Sequence, residues 1–298
     1  MVLASSAPLT YVQALVMGAL QGITELFPIS SLGHSVLLPG LIPGWSGLAK
    51  AQTQPNSFFL TFVIGLHVAT ALALLIFFWK DWVAIVAGFF RSVRDRGIAE
   101  DDRDARMAWL LVVGTVPILA VALVAEKPLR DNFAKPLAAA IFLVINGFVL
   151  LGGEYLRRRQ DQHAAGGRAP RRALTTLKPV DGALVGGSQI FALLAGISRS
   201  GITMVTGLLR GLSHEDAVRF SFLLATPVIL AAGVYKLPDL AKHEYADIRG
   251  QILVGALAAG VAAYFSAKFL VKWFETRTLT PFAIYCLVFG TFCVVHYA

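Results

Sequence analysis

Six stretches of this chain are apolar over the length a bilayer demands: 58–79, 107–125, 136–153, 220–235, 252–271 and 281–298. A helix needs about 20 predominantly apolar residues to cross a hydrocarbon layer of roughly 30 Å. One or two such stretches fit inside a soluble core; six do not. Charged residues make up only 15% of the 298, against roughly a quarter in a soluble domain. The reading is an all-α polytopic membrane protein, one integral domain over 1–298. Cys286 and Cys293 both lie on the last apolar block. Seven residues of one helix rise about 10 Å, too far for a disulfide, so the two cysteines read as small buried hydrophobes.

The net charge of +8 raises the question of nucleic acid. Its distribution argues for topology instead. The basic residues collect in two polar segments, 80–106 and 157–178, and the positive-inside rule puts both in the cytoplasm. The spans then alternate so that Lys268, Lys272 and Arg277 also fall inside and both termini outside. The uncharged start "MVLASSAPLT" fits an outside N-terminus and lacks the basic region of a cleaved signal peptide.

Two apolar regions remain, 12–45 and 182–212, each interrupted by Gly, Pro and polar residues. Offset by 168 positions, Gly18 meets Gly186, Gln21 meets Gln189, Ile29 meets Ile197, Ser30 meets Ser198 and Gly33 meets Gly201. One broken hairpin followed by three spans forms each half, and an odd number of crossings inverts the second half. The expected architecture is therefore six transmembrane helices plus two re-entrant helical hairpins in an inverted-topology repeat. Its halves are 10–156 and 181–298, joined by a basic cytoplasmic loop at 157–180. Paired broken segments of this kind point to a binding site at the repeat interface, because irregular backbone at membrane depth must be buried in protein or line a wet cavity.

The first broken segment reads "QGITELFPISSLGH". Gln21 and Glu25 share a helical face at i, i+4, and Pro28 ends or kinks that helix. Ser30, Ser31 and His34 follow. A carboxylate at membrane depth is costly, so it reads by default as functional with a named partner. The plain alternative is a Glu–Arg pair that only holds the bundle. The partner is in the second segment, "AGISRSGITM": Arg199 between Ser198 and Ser200, with Gly196 and Gly201 flanking and Thr203 beyond. A guanidinium fork matches phosphate oxygens bidentately, and a helix starting near Ser200 would aim its N–H groups at an anion.

These two motifs, with "RFSFLLATP" at 219–227 and "PFAIY" at 281–285, resemble the undecaprenyl-diphosphate phosphatase family (BacA/UppP type) over nearly the whole chain. The resemblance implies an enzyme of the bacterial cytoplasmic membrane, with its site open to the periplasm. Such enzymes remove the terminal phosphate of undecaprenyl diphosphate to regenerate the lipid carrier of cell-wall synthesis. A divalent cation, Mg or Ca, is implied as cofactor, and undecaprenyl diphosphate and membrane lipids as partners. No nucleic acid is implied, and a homodimer is compatible. Residue by residue, Glu25 takes the place of the likely metal ligand and Ser31 of the proposed nucleophile. His34 takes that of the proton relay and Arg199 of the phosphate-binding arginine. Gln21, Ser30, Ser198, Ser200 and Thr203 fall at substrate-binding positions. Gln21 stands where the family has Glu or Gln; an amide cannot be a base, so the mechanism has one carboxylate. Leu32 and Ala195 stand where Thr and Pro are common. His67 reads equally as a support of the site or as helix packing.

Phosphoanhydride hydrolysis needs charge neutralisation on the transferred phosphoryl group and an in-line nucleophile, and this set supplies both. The acid-phosphatase type of lipid phosphatase is excluded, since the residue six beyond Arg199 is Val205, not His. The rival from another class is a polyprenyl-phosphate transporter or flippase, for which broken inverted repeats are equally suited.

Overall fold

The computed structural model describes residues 9–52, 58–133, 135–163, 171–240 and 243–298. The start of the chain and Arg168 of the second basic segment lie outside these. Among the described residues there are twelve α-helices and no β-strand. They are α1 (Tyr11–Thr24), α2 (Ser31–Leu41), α3 (Ser46–Gln52), α4 (Phe58–Phe77), α5 (Trp79–Arg94) and α6 (Arg103–Phe133). After these come α7 (Pro136–His163), α8 (Pro179–Ser188), α9 (Arg199–Leu209), α10 (His214–Leu240), α11 (Arg249–Trp273) and α12 (Thr280–Tyr297).

Among the described residues, six helical stretches are long and apolar enough to cross a membrane: Phe58–Phe77, Arg103–Ala125, Pro136–His163, His214–Val234, Ala246–Trp273 and Thr280–Tyr297. Each coincides with an apolar block of the sequence, and the chain is a multi-pass membrane protein. Many large apolar side chains stay exposed on these helices, among them Val116, Phe148, Leu257 and Val288, as a lipid-facing surface requires.

The two polar segments are more structured than their composition suggests. Most of 80–106, whose polarity suggests a cytoplasmic loop, is α5. Trp79, Val83, Val86, Phe90 and Val93 recur at helical spacing and form its exposed apolar stripe. Its opposite face buries Ile85, Gly88 and Ser92 against the start of α6, where Trp109 donates to Ser92 Oγ at 3.0 Å. Asp102 caps α6 by accepting from Ala105 N and holds Arg91 in a bidentate pair at 2.6 and 2.8 Å. In the second segment, α7 continues through His163.

Buried polar pairs tie the helix ends together. Glu154 Oε1 accepts from His214 Nε2 at 2.5 Å and from Leu279 N at 2.8 Å, joining α7, α10 and the entry to α12. Asp181 holds Arg172 and Arg210, so the start of α8 and the end of α9 share one carboxylate. The main apolar core runs through Leu37, Leu74, Leu143, Leu150, Leu208 and Phe222; a smaller one gathers Met17, Phe59, Phe62 and Leu66 around α1, α4 and α11.

Helices α1 and α8 each begin one of the interrupted segments. A Cβ at Gly18 of α1 would run into the Gly255 carbonyl of α11, and one at Gly186 of α8 into the Gly114 carbonyl of α6. Both contacts bring backbones closer than any side chain allows, as small residues do in membrane helix packing. The points at which the two segments are interrupted, their tips, lie together, with Gly196 N 3.2 Å from Ser30 Oγ.

Candidate active site

Local rules shape each tip. Helix α1 starts at a capping box: Thr10 Oγ1 accepts from Gln13 N at 3.2 Å, and Gln13 Oε1 accepts from Thr10 N at 2.9 Å. It stops at Thr24. The missing N–H of Pro28 is the donor the Thr24 carbonyl would need for another turn, so 25–29 form turns instead. The chain restarts at Ser30, the N-cap of α2, with φ 70° and ψ 101° and its Oγ accepting from Gly33 N at 3.2 Å. In the other segment α8 passes into a 3-10 turn (Gln189–Leu193). Gly196 then turns at φ 110°, and Ser198 caps α9 by accepting from Gly201 N at 3.1 Å.

The two tips are sewn together by hydrogen bonds. Gly196 N donates to Ser30 Oγ at 3.2 Å, and Ser200 Oγ donates to the Phe27 carbonyl at 3.1 Å. Asn146, wholly buried in α7, donates to the Pro28 carbonyl at 3.0 Å and accepts from Ser198 N at 2.9 Å. One span therefore holds both tips at once.

At their junction lies Glu25, 6% exposed. Its Oε1 accepts from Arg199 Nη2 at 2.8 Å. Its Oε2 accepts from Ser31 Oγ at 2.5 Å and from Gln21 Nε2 at 3.0 Å, and faces His67 Nε2 at 3.4 Å. His67 Nδ1 lies 2.8 Å from the Val63 carbonyl, which can only accept, so Nδ1 carries a proton. One carboxylate is thus ringed by a guanidinium, a hydroxyl, an amide and an imidazole. Two polar atoms of the ring are buried without a hydrogen-bond partner, Arg199 Nη1 and Gln21 Oε1. Orphans of this kind are rare in native interiors.

Of the residues picked out in the sequence, Gln21, Glu25, Ser31 and Arg199 come together, and His67 joins them. His34 does not face Glu25: its Nδ1 lies 2.7 Å from the Ser30 carbonyl and its Nε2 2.8 Å from Tyr285 Oη. Ser30, Ser198 and Ser200 spend their hydroxyls on the seam between the tips. Thr203 turns back along α9 to the Arg199 carbonyl at 2.8 Å and to Ser221 Oγ at 2.6 Å. Asn146 escaped the sequence reading, and Tyr285 entered it only as the end of the "PFAIY" stretch, with no role. An Asn in an otherwise apolar span is a signal that could have flagged the first; the stretch flags the second without saying what its hydroxyl meets.

The oxygen set also bears on a cation. Among the described residues no three His, Cys, Asp or Glu side chains cluster, so a closed protein cage is not there. Gln21 turns its amide to the carboxylate, because the reverse orientation would oppose two oxygens, and this leaves Oε1 as a spare oxygen beside Glu25. One carboxylate with one amide oxygen fits a hard divalent ion that takes its remaining ligands from water and phosphate.

The chain matches the family described as Bacitracin resistance protein BacA over residues 14–292. It is 52% identical to "Undecaprenyl-diphosphatase 2" of Frankia alni, over 97% of this chain and 98% of that one. It is 53% identical to "Undecaprenyl-diphosphatase" of Mycolicibacterium paratuberculosis, over 96% of each. With "Undecaprenyl-diphosphatase 2" of Chromobacterium violaceum the identity is 40%, over 94% of this chain and 96% of that one. With the match reaching from the first broken segment into the sixth span, this chain belongs to the BacA family.

Proposed function

We propose that this protein is an undecaprenyl-diphosphate phosphatase, removing the terminal phosphate of undecaprenyl diphosphate to give undecaprenyl phosphate and inorganic phosphate. Beyond family membership, the observation that carries this reading is the junction of Glu25 with Arg199, 174 residues apart in sequence and 2.8 Å apart in space. Ser31 donates to the same carboxylate, and the buried Arg199 Nη1 has a hydrogen bond left to give.

In this mechanism Arg199 binds the terminal phosphate through Nη1, at the N-terminus of α9, where unsatisfied amides favour an anion. Ser31 gives its proton to Glu25 Oε2 as Oγ attacks the terminal phosphorus. The bond from that phosphorus to the bridging oxygen breaks, and undecaprenyl phosphate leaves with the electron pair. Water then cleaves the phosphoserine, releasing inorganic phosphate, and the proton returns from Glu25 to Ser31. Glu25 and Gln21 Oε1 are the groups that would hold a divalent cation, Mg or Ca. Such an ion, when bound, neutralises charge on the diphosphate oxygens. A carrier without chemistry would need Arg199 and a gated path, but would have no use for a serine hydroxyl set on the carboxylate.

The two segments 12–45 and 182–212 are, in this reading, re-entrant hairpins of an inverted repeat with halves 10–156 and 181–298. The Gly18–Gly255 and Gly186–Gly114 approaches support it: Gly18 and Gly186 are equivalent at the 168-residue offset, and each first hairpin helix packs on a span of the opposite half. The location that goes with this is the bacterial cytoplasmic membrane, with the site and both termini toward the periplasm and the basic segments toward the cytoplasm.

The test is phosphate release from undecaprenyl diphosphate by protein purified in detergent, with and without EDTA, beside Arg199→Ala and Glu25→Gln. Cation-dependent release that both substitutions abolish is expected. Folded wild-type protein that binds the lipid and releases no phosphate would overturn the reading.

A further inference from the structure

We infer that Tyr285 is a positioning residue for the reaction, acting through His34 to hold Ser31 in place, and that His34 is not the base for Ser31. The inference rests on the reading above that Ser31 is the nucleophile. It concerns the "PFAIY" stretch, whose tyrosine has no part in the mechanism so far.

His34 is 1% exposed and both ring nitrogens are engaged. The Ser30 carbonyl at Nδ1 can only accept, so Nδ1 bears the proton of the neutral ring. The Nε2 lone pair is then met by the hydroxyl of Tyr285, which donates across 2.8 Å from α12. The ring is further fixed by nearly parallel packing on Phe289, with centroids 5.3 Å apart. A histidine so held has no free lone pair to offer, and the Ser31 hydroxyl is already committed to Glu25 Oε2 at 2.5 Å. The base in reach of Ser31 is the carboxylate.

What the imidazole holds is the carbonyl of Ser30. That residue has a positive φ, which a non-glycine side chain rarely adopts, and its Oγ receives amides from both tips, Gly33 and Gly196. Ser31 follows directly. A chain of contacts therefore runs from Tyr285 Oη to His34 Nε2, from Nδ1–H to the Ser30 carbonyl, and so to the backbone that presents Ser31. Removing the tyrosine hydroxyl frees the ring to rotate or change tautomer, and the serine loses its bearing.

The experiment is the pH dependence of kcat and KM for phosphate release, measured on Tyr285→Phe, His34→Asn, His34→Ala and Ser31→Ala. Asparagine places an N–H near the position of Nδ1 but cannot titrate. Tyr285→Phe is expected to lower kcat about tenfold, the scale of one buried hydrogen bond, with KM within about twofold and the pH profile unshifted. His34→Asn is expected to retain at least about tenfold more kcat than His34→Ala, with the wild-type profile shape. Full kcat in Tyr285→Phe would overturn the inference. So would a His34→Asn variant as slow as His34→Ala, or one that loses a limb of the profile. His34→Asn leaves Tyr285 in place and decides the matter even if Tyr285→Phe folds poorly. Undiminished turnover in Ser31→Ala would instead defeat the serine-nucleophile reading on which the inference rests.

Discussion

Replacing Gly196 by alanine should unseat the second tip. Gly196 has φ 110°, and a Cβ there would overlap the Ala139 carbonyl oxygen and lie 2.7 Å from Leu143 N, both backbone atoms of α7. The left-handed backbone costs an L-residue about 1–2 kcal/mol, and forcing a methyl into a packed interior adds about 1–3 kcal/mol. The sum is about 2–5 kcal/mol. At roughly 2–4 °C per kcal/mol for a large domain, the thermal midpoint in detergent should fall on the order of 10 °C. Activity should fall too, because Gly196 N holds Ser30 Oγ and the displaced tip carries Arg199 away from Glu25. The comparison variant is Gly187→Ala in α8, whose added Cβ meets nothing nearer than Pro117 Cβ at 3.9 Å. It should be neutral or stabilising by up to about 1 kcal/mol, as expected for alanine in a helix. A Gly196→Ala protein as stable and active as wild type would refute the claim that the tip is wedged against α7.

Asn146→Leu leaves the Ser198 amide unpaired and the Pro28 carbonyl with only the weak Cys286 thiol donor at 3.9 Å, in a fully buried place. At about 1–3 kcal/mol for each orphaned group, a drop in thermal midpoint comparable to that of Gly196→Ala is expected in the same melting assay. Gln21→Glu puts a second carboxylate beside Glu25, so a titration of activity with Mg should show half-saturation at lower cation and deeper loss in EDTA. The Arg91–Asp102 pair predicts a pH window. Hydrogen bonds from Arg91 and the Ala105 amide hold the Asp102 carboxyl down at about 2. Its stabilising contribution is therefore fully present above the ordinary carboxylate range and lost progressively as pH falls from there through about 2. The melting difference between wild type and Asp102→Asn should stay constant from pH 7 to pH 5 and shrink below pH 4.

Much of the fold was legible because a membrane imposes a length rule on apolar blocks: all six spans coincide with runs such as 58–79 and 136–153. The interruptions were legible for the same reason inverted, since Gln21, Glu25, Pro28 and Arg199 have no place in a plain span. Helix α5 was hidden by its net polarity. Its apolar residues form a stripe spaced three and four apart, diluted by Lys80, Asp81, Arg91 and Arg94 on its other faces. Within the site, a motif identifies residue types but not where side chains point. His34 and Ser31 share one short string, yet His34 turns to Tyr285, 251 residues away, while Ser31 turns to Glu25. Thr203 likewise sits in the arginine motif and spends its hydroxyl on α9 and Ser221. Asn146 joins two tips that neither neighbour it in sequence nor resemble its surroundings, a role that only tertiary contact reveals.

The central claim is that Glu25 and Arg199, from opposite halves of the chain, act as one site. A double-mutant cycle on kcat/KM for undecaprenyl diphosphate tests it directly, with Glu25→Gln, Arg199→Lys and the pair together. If the two side chains work as a unit, the double variant should lose no more than about threefold beyond the worse single one. Losses that multiply, each residue failing independently of the other, would contradict a shared site.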